Sequence, residues 1–576
     1  MKKNRSHRFR TLPALAAARG SSCDGAHDSQ PWPYGFWQHR RSFRRPQPAM
    51  VLLLGAGLLL APASLGHAFS SDRNTPPGIS YCPALVGATC TAFFKESRMN
   101  FVDPTKPDRK SRASPTLDFA AVGDAIRPAP VDPAIRRALG QISTAEIQQS
   151  ITTLVSFNNR STLSSMRQDL RPGEGISAAA DWIEAQFQKD SAACGGCLEV
   201  RRDTFTEQPQ SRIPQPTLLT NVYAVLRGKD PAQNKRMYLV TGHYDSRNSS
   251  NENTRDPAPG ANDDASGVAV SLACARVLSR LQFPATLVFV AVAGEEQGLN
   301  GSRHLARLAR SQGWELEGVL NNDIVGGDTT PGDKFQDKQR VRVFSEEIPE
   351  AATPDEAKRI EAIGGENDSP SRQLARAMAA VARSYFQTDP AFRPVLEFRH
   401  DRFLRGGDHT SFNQEGFTAV RVTEWRENFD HQHQNVRIEN GVQYGDLIGF
   451  VDFSYTANVA RLNAATLATL ASAPGAPSNV RMLTAALGNN TALTWSSPAG
   501  APPGTTYDVI WRETSAPDWQ FTASSAKFGD APKKEQDGSE HHAVTVPISK
   551  DNVVFGVRSV DPAGHCSLVV TPVVER

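Results

Sequence analysis

An uninterrupted apolar run, Ala285–Ala293 (ATLVFVAVA), ends on Gly294-Glu295-Glu296-Gln297-Gly298, and this junction constrains the chain strongly. A run so apolar and β-branched has no polar face, so it reads as a parallel strand covered on both sides. Two adjacent carboxylates at its carboxyl end are costly to desolvate unless a cationic partner waits there. Other strand ends in the same region also carry acids or an imidazole. Together they point to metal.

The elements around that strand alternate. Apolar spacing predicts helices over 144–157 and 176–189, then strands over 198–205, 218–226 and 237–242. A helix over 266–281, strand 285–293, a helix near 301–312 and strand 316–325 follow. Residues 327–368 are polar and irregular and read as an inserted flap, after which helix 371–388, strand 418–423 and a long helix over 444–471 complete the unit. Such alternation indicates the α/β class, a doubly wound mixed sheet flanked by helices. With 576 residues the chain exceeds one ordinary domain. It divides into a basic extension and signal peptide (1–68), a linker or pro-segment (69–140), the α/β domain (141–472) and a small all-β unit (477–576).

Charge is unevenly placed. Residues 1–49 carry ten Lys/Arg against two Asp/Glu, a surplus of eight, so a total of +2 leaves the remainder near −6. A mildly acidic body gives nucleic-acid binding no electrostatic support. Residues 51–65 (VLLLGAGLLLAPASL) follow the basic stretch and precede Gly66-His67-Ala68, the order of an export signal. Fifteen residues containing proline are too short for a stable membrane span. The expected location is therefore periplasmic or secreted. In an exported chain Cys194 and Cys197 are expected to form a local disulfide, and Cys82 and Cys90 to close a second small loop. Cys274 and Cys566 are expected to be free.

The chemistry lies at the strand ends. His243-Tyr244-Asp245 terminates one strand, Asp263-Asp264 opens a helix, and Glu295-Glu296 and Asn322-Asp323 end two further strands. In an open α/β sheet these ends lie along one edge, where ligands bind. Each alone has a plainer reading: an Asp pair before Ala-Ser-Gly is a helix cap, a Glu pair before Gln-Gly a solvated turn. Jointly, along one edge, solvation does not account for them.

The motifs HYDS (243–246), GANDDASG (260–267), GEEQGL (294–299) and NND (321–323) resemble the metal-binding motifs of metallopeptidase family twenty-eight. That family comprises secreted di-zinc aminopeptidases, with glutamate carboxypeptidases and glutaminyl cyclases as relatives; the resemblance spans roughly 140–470, in the family's order. It implies two zinc ions per chain, bridged by Asp263, with His243 and Asp323 on one and Glu296 with a late histidine on the other. It also implies Glu295 as general base and acid, and Asp245 as the group that orients His243. Candidates for the late histidine are His400, His409, His431 and His433. His433 is favoured and His431 is the runner-up, although His433-Gln434-Asn435-Val436-Arg437 departs from the family's usual His-Thr-x-x-Asp. Gly406-Gly407-Asp408-His409 resembles a pocket-lining segment of the family, or is a capped helix start. Beyond 477, the stretches Leu493-Thr494-Trp495, Tyr507–Arg512 and Phe555–Asp561 resemble a fibronectin type III module, which could contact a surface or polymer.

The expectation is an exported di-zinc aminopeptidase acting on peptide substrates through a metal-bridging hydroxide. Glutaminyl cyclisation is an alternative on the same residues, as is a carboxypeptidase that would need Arg402, Arg405 or Arg421 to hold a terminal carboxylate. A non-catalytic receptor with a dead peptidase fold is the other class.

Overall fold

The computed structural model describes residues 119–387, 391–535 and 539–576, all within one compact unit, Thr105–Arg576. The expected signal peptide, Cys23, Cys82 and Cys90 lie outside the described residues. Among the described residues no helix is long and apolar enough to cross a membrane.

The main sheet has eight strands: β1 (Leu198–Glu207), β2 (Thr217–Leu226), β3 (Arg236–His243), β4 (Thr286–Val292), β5 (Glu315–Asn322), β6 (Arg340–Ser345), β7 (Arg393–Glu397) and β8 (Ala419–Glu424). Their order is β1-β2-β4-β3-β5-β8-β6-β7. The four middle strands β4, β3, β5 and β8 run parallel, while β1, β2 and β6 join antiparallel, so the sheet is mixed as expected. Every residue of β4 is buried. The period of two sends Leu287, Phe289 and Ala291 into one apolar layer and Val288, Val290 and Val292 into the other. Helices Thr144–Ser156, Gly175–Ala193, Ala265–Leu278 and Phe453–Ser472 cover the first face, and Asn300–Ser311 covers the second.

Three expectations need correction. Residues 327–368 are not simply a flap: Val341 and Val343 point into the core as β6, and a helix, Pro354–Ala362, follows. The Arg–Val alternation gives that strand one half-buried, arginine-bearing face, which made the segment look polar. The last helix begins at Phe453, capped by the Asp452 carboxylate on the Tyr455 amide, rather than at 444. Residues 437–444 instead form a hairpin, Arg437–Glu439 with Val442–Tyr444. Nor is all of 69–140 a linker. Helix Pro133–Leu139 buries Ile135, Ala138 and Leu139 in the main core, and Asp124–Ala125 pairs with Phe521–Thr522 of the C-terminal part.

The C-terminal part consists of two sheets around one core. Strands Phe521–Ser524, Thr506–Glu513 and Val553–Val560 form one sheet with Asp124–Ala125; Ser478–Leu483, Thr491–Ser496, Glu540–Val546 and two short strands form the other. Trp495, Trp511, Val509 and Val557 fill the space between, joined by Phe119 from the N-terminal side. Arg512 pairs with both oxygens of Asp368 at 2.8 and 2.9 Å, and Trp519 donates to Gln373 at 3.0 Å, which fixes the sandwich against the α/β part. Cys194 and Cys197 are disulfide-bonded, and Cys274 and Cys566 are free.

Candidate metal centre

Because β3, β4, β5 and β8 are parallel, their carboxyl ends deliver His243, Glu295-Glu296, Asp323 and Glu424 to one edge. Asp263 reaches the same place from the loop before helix Ala265–Leu278, and a cis Asp263–Asp264 peptide follows it. That helix can approach only because position 267 is glycine: a Cβ there would lie 2.2 Å from the Asn322 carbonyl oxygen.

The result is two overlapping clusters. His243, Asp263 and Asp323 form one, and Asp263, Glu296 and His433 the other, with the ligand atoms of each within 4.8 Å of one another. Asp263 belongs to both. Its Oδ1 lies 3.1 Å from His243 Nε2, and its Oδ2 lies 2.9 Å from His433 Nε2. His433 Nε2 is also 3.0 Å from Glu296 Oε1, and His243 Nε2 is 4.0 Å from Asp323 Oδ1.

These donors fit a metal. His243 Nε2 and Glu296 Oε1 are buried without a well-formed hydrogen bond, a costly state for polar atoms unless something coordinates them. Burial alone would lower the imidazole pKa values. The Glu296 and Asp263 carboxylates outweigh it at His433, whose pKa is pushed up to about 10, and the His243 ring is pushed up by Asp245 and Asp263. Both rings therefore sit where positive charge is demanded, which a dication supplies while leaving them neutral. An all-nitrogen and oxygen donor set suits zinc.

The surrounding residues hold this geometry. Asp245 does more than orient His243, whose Nδ1 lies 3.2 Å from the Asp245 carbonyl oxygen. Its carboxylate accepts the Glu295 and Glu296 amides at 3.3 and 3.1 Å and the Thr162 hydroxyl at 3.1 Å, which sets where the two Glu side chains depart. Asp264 Oδ2 accepts the His243 amide at 3.0 Å while its Oδ1 caps the helix at Gly267. Glu295 is half-buried; burial, and then Asp323, Glu296 and Asp408, raise its carboxyl well above the usual range against the pull of His243.

His431 is elsewhere: its ring stacks on Phe450 with centroids 3.7 Å apart and pairs with Asp328. His409 is buried in the helix Asp408–Gln414, with Nε2 donating to the His400 carbonyl at 3.1 Å, and His400 pairs with Glu350. None of the three joins a metal-competent cluster among the described residues.

Three residues escaped the sequence reading. Asp446 accepts the Asn262 and Asp263 amides, the latter at 2.7 Å, and burial pushes its carboxyl up to about 7. Arg160, fully buried, donates to the carbonyls of Tyr244, Leu154, Pro259 and Gly260 and pins the loop carrying Asp263. Glu424 accepts from Asn262 Nδ2 at 3.0 Å. No local pattern marks any of them; each acts from a distant segment.

Residues 221–441, which contain both clusters, match the model of peptidase family M28. A probable zinc metalloprotease of Pyrenophora teres f. teres is 42% identical over 455 residues, covering 78% of this chain and 89% of the relative. Another, from Pyricularia oryzae, is 39% identical over 92% of this chain and 99% of its own length. The chain belongs to peptidase family M28. It is therefore a zinc metallopeptidase, a hydrolase. Among solved structures, the Legionella pneumophila LapA aminopeptidase aligns with a TM-score of 0.41 at 19% identity, over 65% of this M28 chain and 80% of LapA. A Bacteroides thetaiotaomicron glutaminyl cyclase aligns with 0.38 at 15%, over 57% and 98%.

Proposed function

We propose that this M28 peptidase is an exported aminopeptidase that holds two zinc ions and removes N-terminal residues from peptides. One observation carries the reading: the two oxygens of Asp263 face two different imidazoles, at 3.1 and 2.9 Å. A carboxylate so placed could serve two cations at once. His243, Asp263 and Asp323 would hold one zinc, and Asp263, Glu296 and His433 the other, with three protein donors each and room left for water and substrate. Zinc so held makes water a nucleophile near neutral pH and polarises a carbonyl.

The protein's part follows from placement. Glu295, which stands beside the clusters without belonging to either, would take the proton of the attacking water and return it to the departing amine. Asp245 keeps Glu295 and Glu296 diverging by holding both of their amides. A carboxypeptidase would need a guanidinium free to take the terminal carboxylate beside the cluster. Arg421, the candidate that touches the cluster, is already committed to Asp323 and Asp401. Export rests on residues 51–65, and the strand motifs of 477–576 support a fibronectin type III-like module.

The deciding experiment counts zinc in purified protein and assays leucine anilide with and without chelator. Two zincs per chain and chelator-sensitive release of leucine are expected. One zinc, with cyclisation of N-terminal glutamine instead, would overturn the reading.

A further inference from the structure

Around the mouth of the metal centre, three loops hold large apolar side chains in solvent. Phe403 is 78% exposed, Phe335 74% and Phe429 64%, and Leu404 is fully exposed. A single exposed apolar residue is ordinary, whereas several on adjoining loops beside a reaction centre mark a contact surface.

These loops are tied to the cluster. Arg421 donates through Nη1 to the Gly406 carbonyl at 2.9 Å while its Nη2 pairs with Asp323 at 2.8 Å, so one side chain links the 402–406 loop to a cluster residue. Arg405 donates to Gln432, the neighbour of His433, at 3.3 Å. Gln336 donates to the Arg426 carbonyl at 2.9 Å, and Asn428 to the Thr330 hydroxyl at 2.6 Å, which joins the loop of Phe335 to that of Phe429.

Each ring also carries a guanidinium. Arg399 lies 3.7 Å from the Phe403 centroid, Arg426 5.3 Å from Phe335 and Arg405 5.7 Å from Phe429, all within cation–π reach. Arg342, Arg402 and Arg405 converge on the carboxylate of Glu427 at 2.8, 2.7 and 3.1 Å, Arg402 also pairs with Asp401 at 2.9 Å, and Arg426 pairs with Asp333 at 2.8 Å. Arg399 has no carboxylate partner among the described residues, so these arginines still outnumber the carboxylates they meet.

We propose that these loops bind the part of a polypeptide substrate downstream of the cleaved bond, and select chains carrying an apolar side chain and a carboxylate there. The inference rests on the aminopeptidase reading above. The occupant is substrate because the rings adjoin the place where the peptide's first residue would sit: Phe429 lies four residues before His433, and Arg421 and Arg405 tie the 402–406 loop to Asp323 and to Gln432. Two or three extended residues, at about 3.3–3.6 Å each, span such a mouth. The carboxylate can belong to an acidic side chain or to the peptide's own C-terminus.

The test uses the full zinc-loaded chain and peptides with N-terminal leucine, Phe or Ser second, and Glu or Gln third, each with a free or amidated C-terminus. Phe is expected to beat Ser in kcat/KM by about tenfold or more, the lower range for one apolar contact. Glu or a free C-terminus should beat the uncharged form, and the two arms separate these sources. In a Phe403→Ser, Phe429→Ser double variant the apolar preference should collapse, and in Arg399→Gln, Arg405→Gln the charge preference. Hydrolysis of leucine anilide, which is too short to cross the rings, should change several-fold less. Indifference of the wild-type enzyme to the second and third residues overturns the proposal, as does an equal loss on anilide and peptide in the variants. A zinc-loaded wild type that cleaves neither anilide nor peptide refutes the aminopeptidase reading itself, and this proposal with it.

Discussion

Arg421 Nη2 stands 2.8 Å from Asp323 Oδ1, the oxygen that also faces His243, and both side chains are buried. The guanidinium is held firmly charged against burial by Asp323 and Asp401, which lies 3.5 Å away. Replacing Arg421 with Met leaves two buried carboxylates short of their cation. A cost of about 3–5 kcal/mol is expected, as for breaking a buried ion pair. A bound dication would supply part of the missing charge at Asp323. The fall in urea midpoint should therefore be larger in chelator-treated protein than in zinc-loaded protein, and equal losses would show that Arg421 does not act on the cluster.

Glu295→Gln is expected to keep the zinc content of the wild type and lose at least about 10²-fold in kcat, the lower end for removing a general base. The amide cannot take a proton from water, yet Glu295 belongs to neither metal-competent cluster. Metal analysis beside steady-state rates decides it. Near-normal turnover would remove Glu295 from the mechanism.

His433 and His431 should separate cleanly. His433→Ala removes a donor shared with Asp263 and Glu296, so zinc per chain should fall. His431→Ala loses a stacked ring and an ion pair with Asp328, so it should keep its zinc and lose about 1–3 kcal/mol of stability. Unequal zinc content with comparable unfolding midpoints is the signature sought.

Much of this centre was legible from residue order. His243, Glu295-Glu296 and Asp323 sit at the ends of strands whose apolar runs are unmistakable, so topology alone carried them to one edge. The Asp263 loop was equally visible, because Asp264 and Gly267 open a strongly apolar helix. The supporting groups were not. Arg160, Asp446 and Arg421 act across 100, 183 and 98 residues on the loop or strand they brace, and no periodicity reports such a reach. Asp446 was further hidden inside the expected start of the last helix, which is irregular chain between the hairpin and Phe453. A strand of two residues, Asp124–Ala125, has no period to read, so the attachment of residues 119–126 to the sandwich could not be foreseen.

Acid should destabilise the enzyme partly through His409. Burial, with help from His400 and Arg421, outweighs the pull of Asp401 and lowers this ring's pKa to about 3. In the unfolded chain it titrates near 6.5. Between these values the unfolded state binds a proton that the native state refuses, so the contribution is intact above about pH 6.5 and is lost as pH falls toward 3. The slope from this one group is up to about 1.4 kcal/mol per pH unit. His409→Gln keeps a donor for the His400 carbonyl and removes the titration. Its unfolding free energy should fall less steeply between pH 6 and pH 4 than that of the wild type, at a rate differing by about one proton. Parallel curves would show that His409 does not titrate in this way.

The sandwich should behave as part of the enzyme rather than as an appendage. Asp368 lies beneath Arg512 and Arg376, at 2.8 and 3.1 Å, with all three side chains nearly inaccessible. The Pro- and Ala-rich 471–477 segment that joins the two parts is mostly buried, and the Ala473 carbonyl accepts from Arg236 at 2.9 Å. A protease needs a local opening to cut such a segment, so the wild-type chain should resist cleavage there. Arg512→Met leaves Asp368 with Arg376 alone and removes the strongest polar fastening of the sandwich. Up to about 3–5 kcal/mol is at stake, less whatever Arg376 compensates. Limited proteolysis followed by mass measurement should then show a new cut within 471–477 in the variant, well below its unfolding midpoint. If the variant is cut no faster than the wild type, the sandwich is held by its apolar contacts and Asp368 is incidental to its docking.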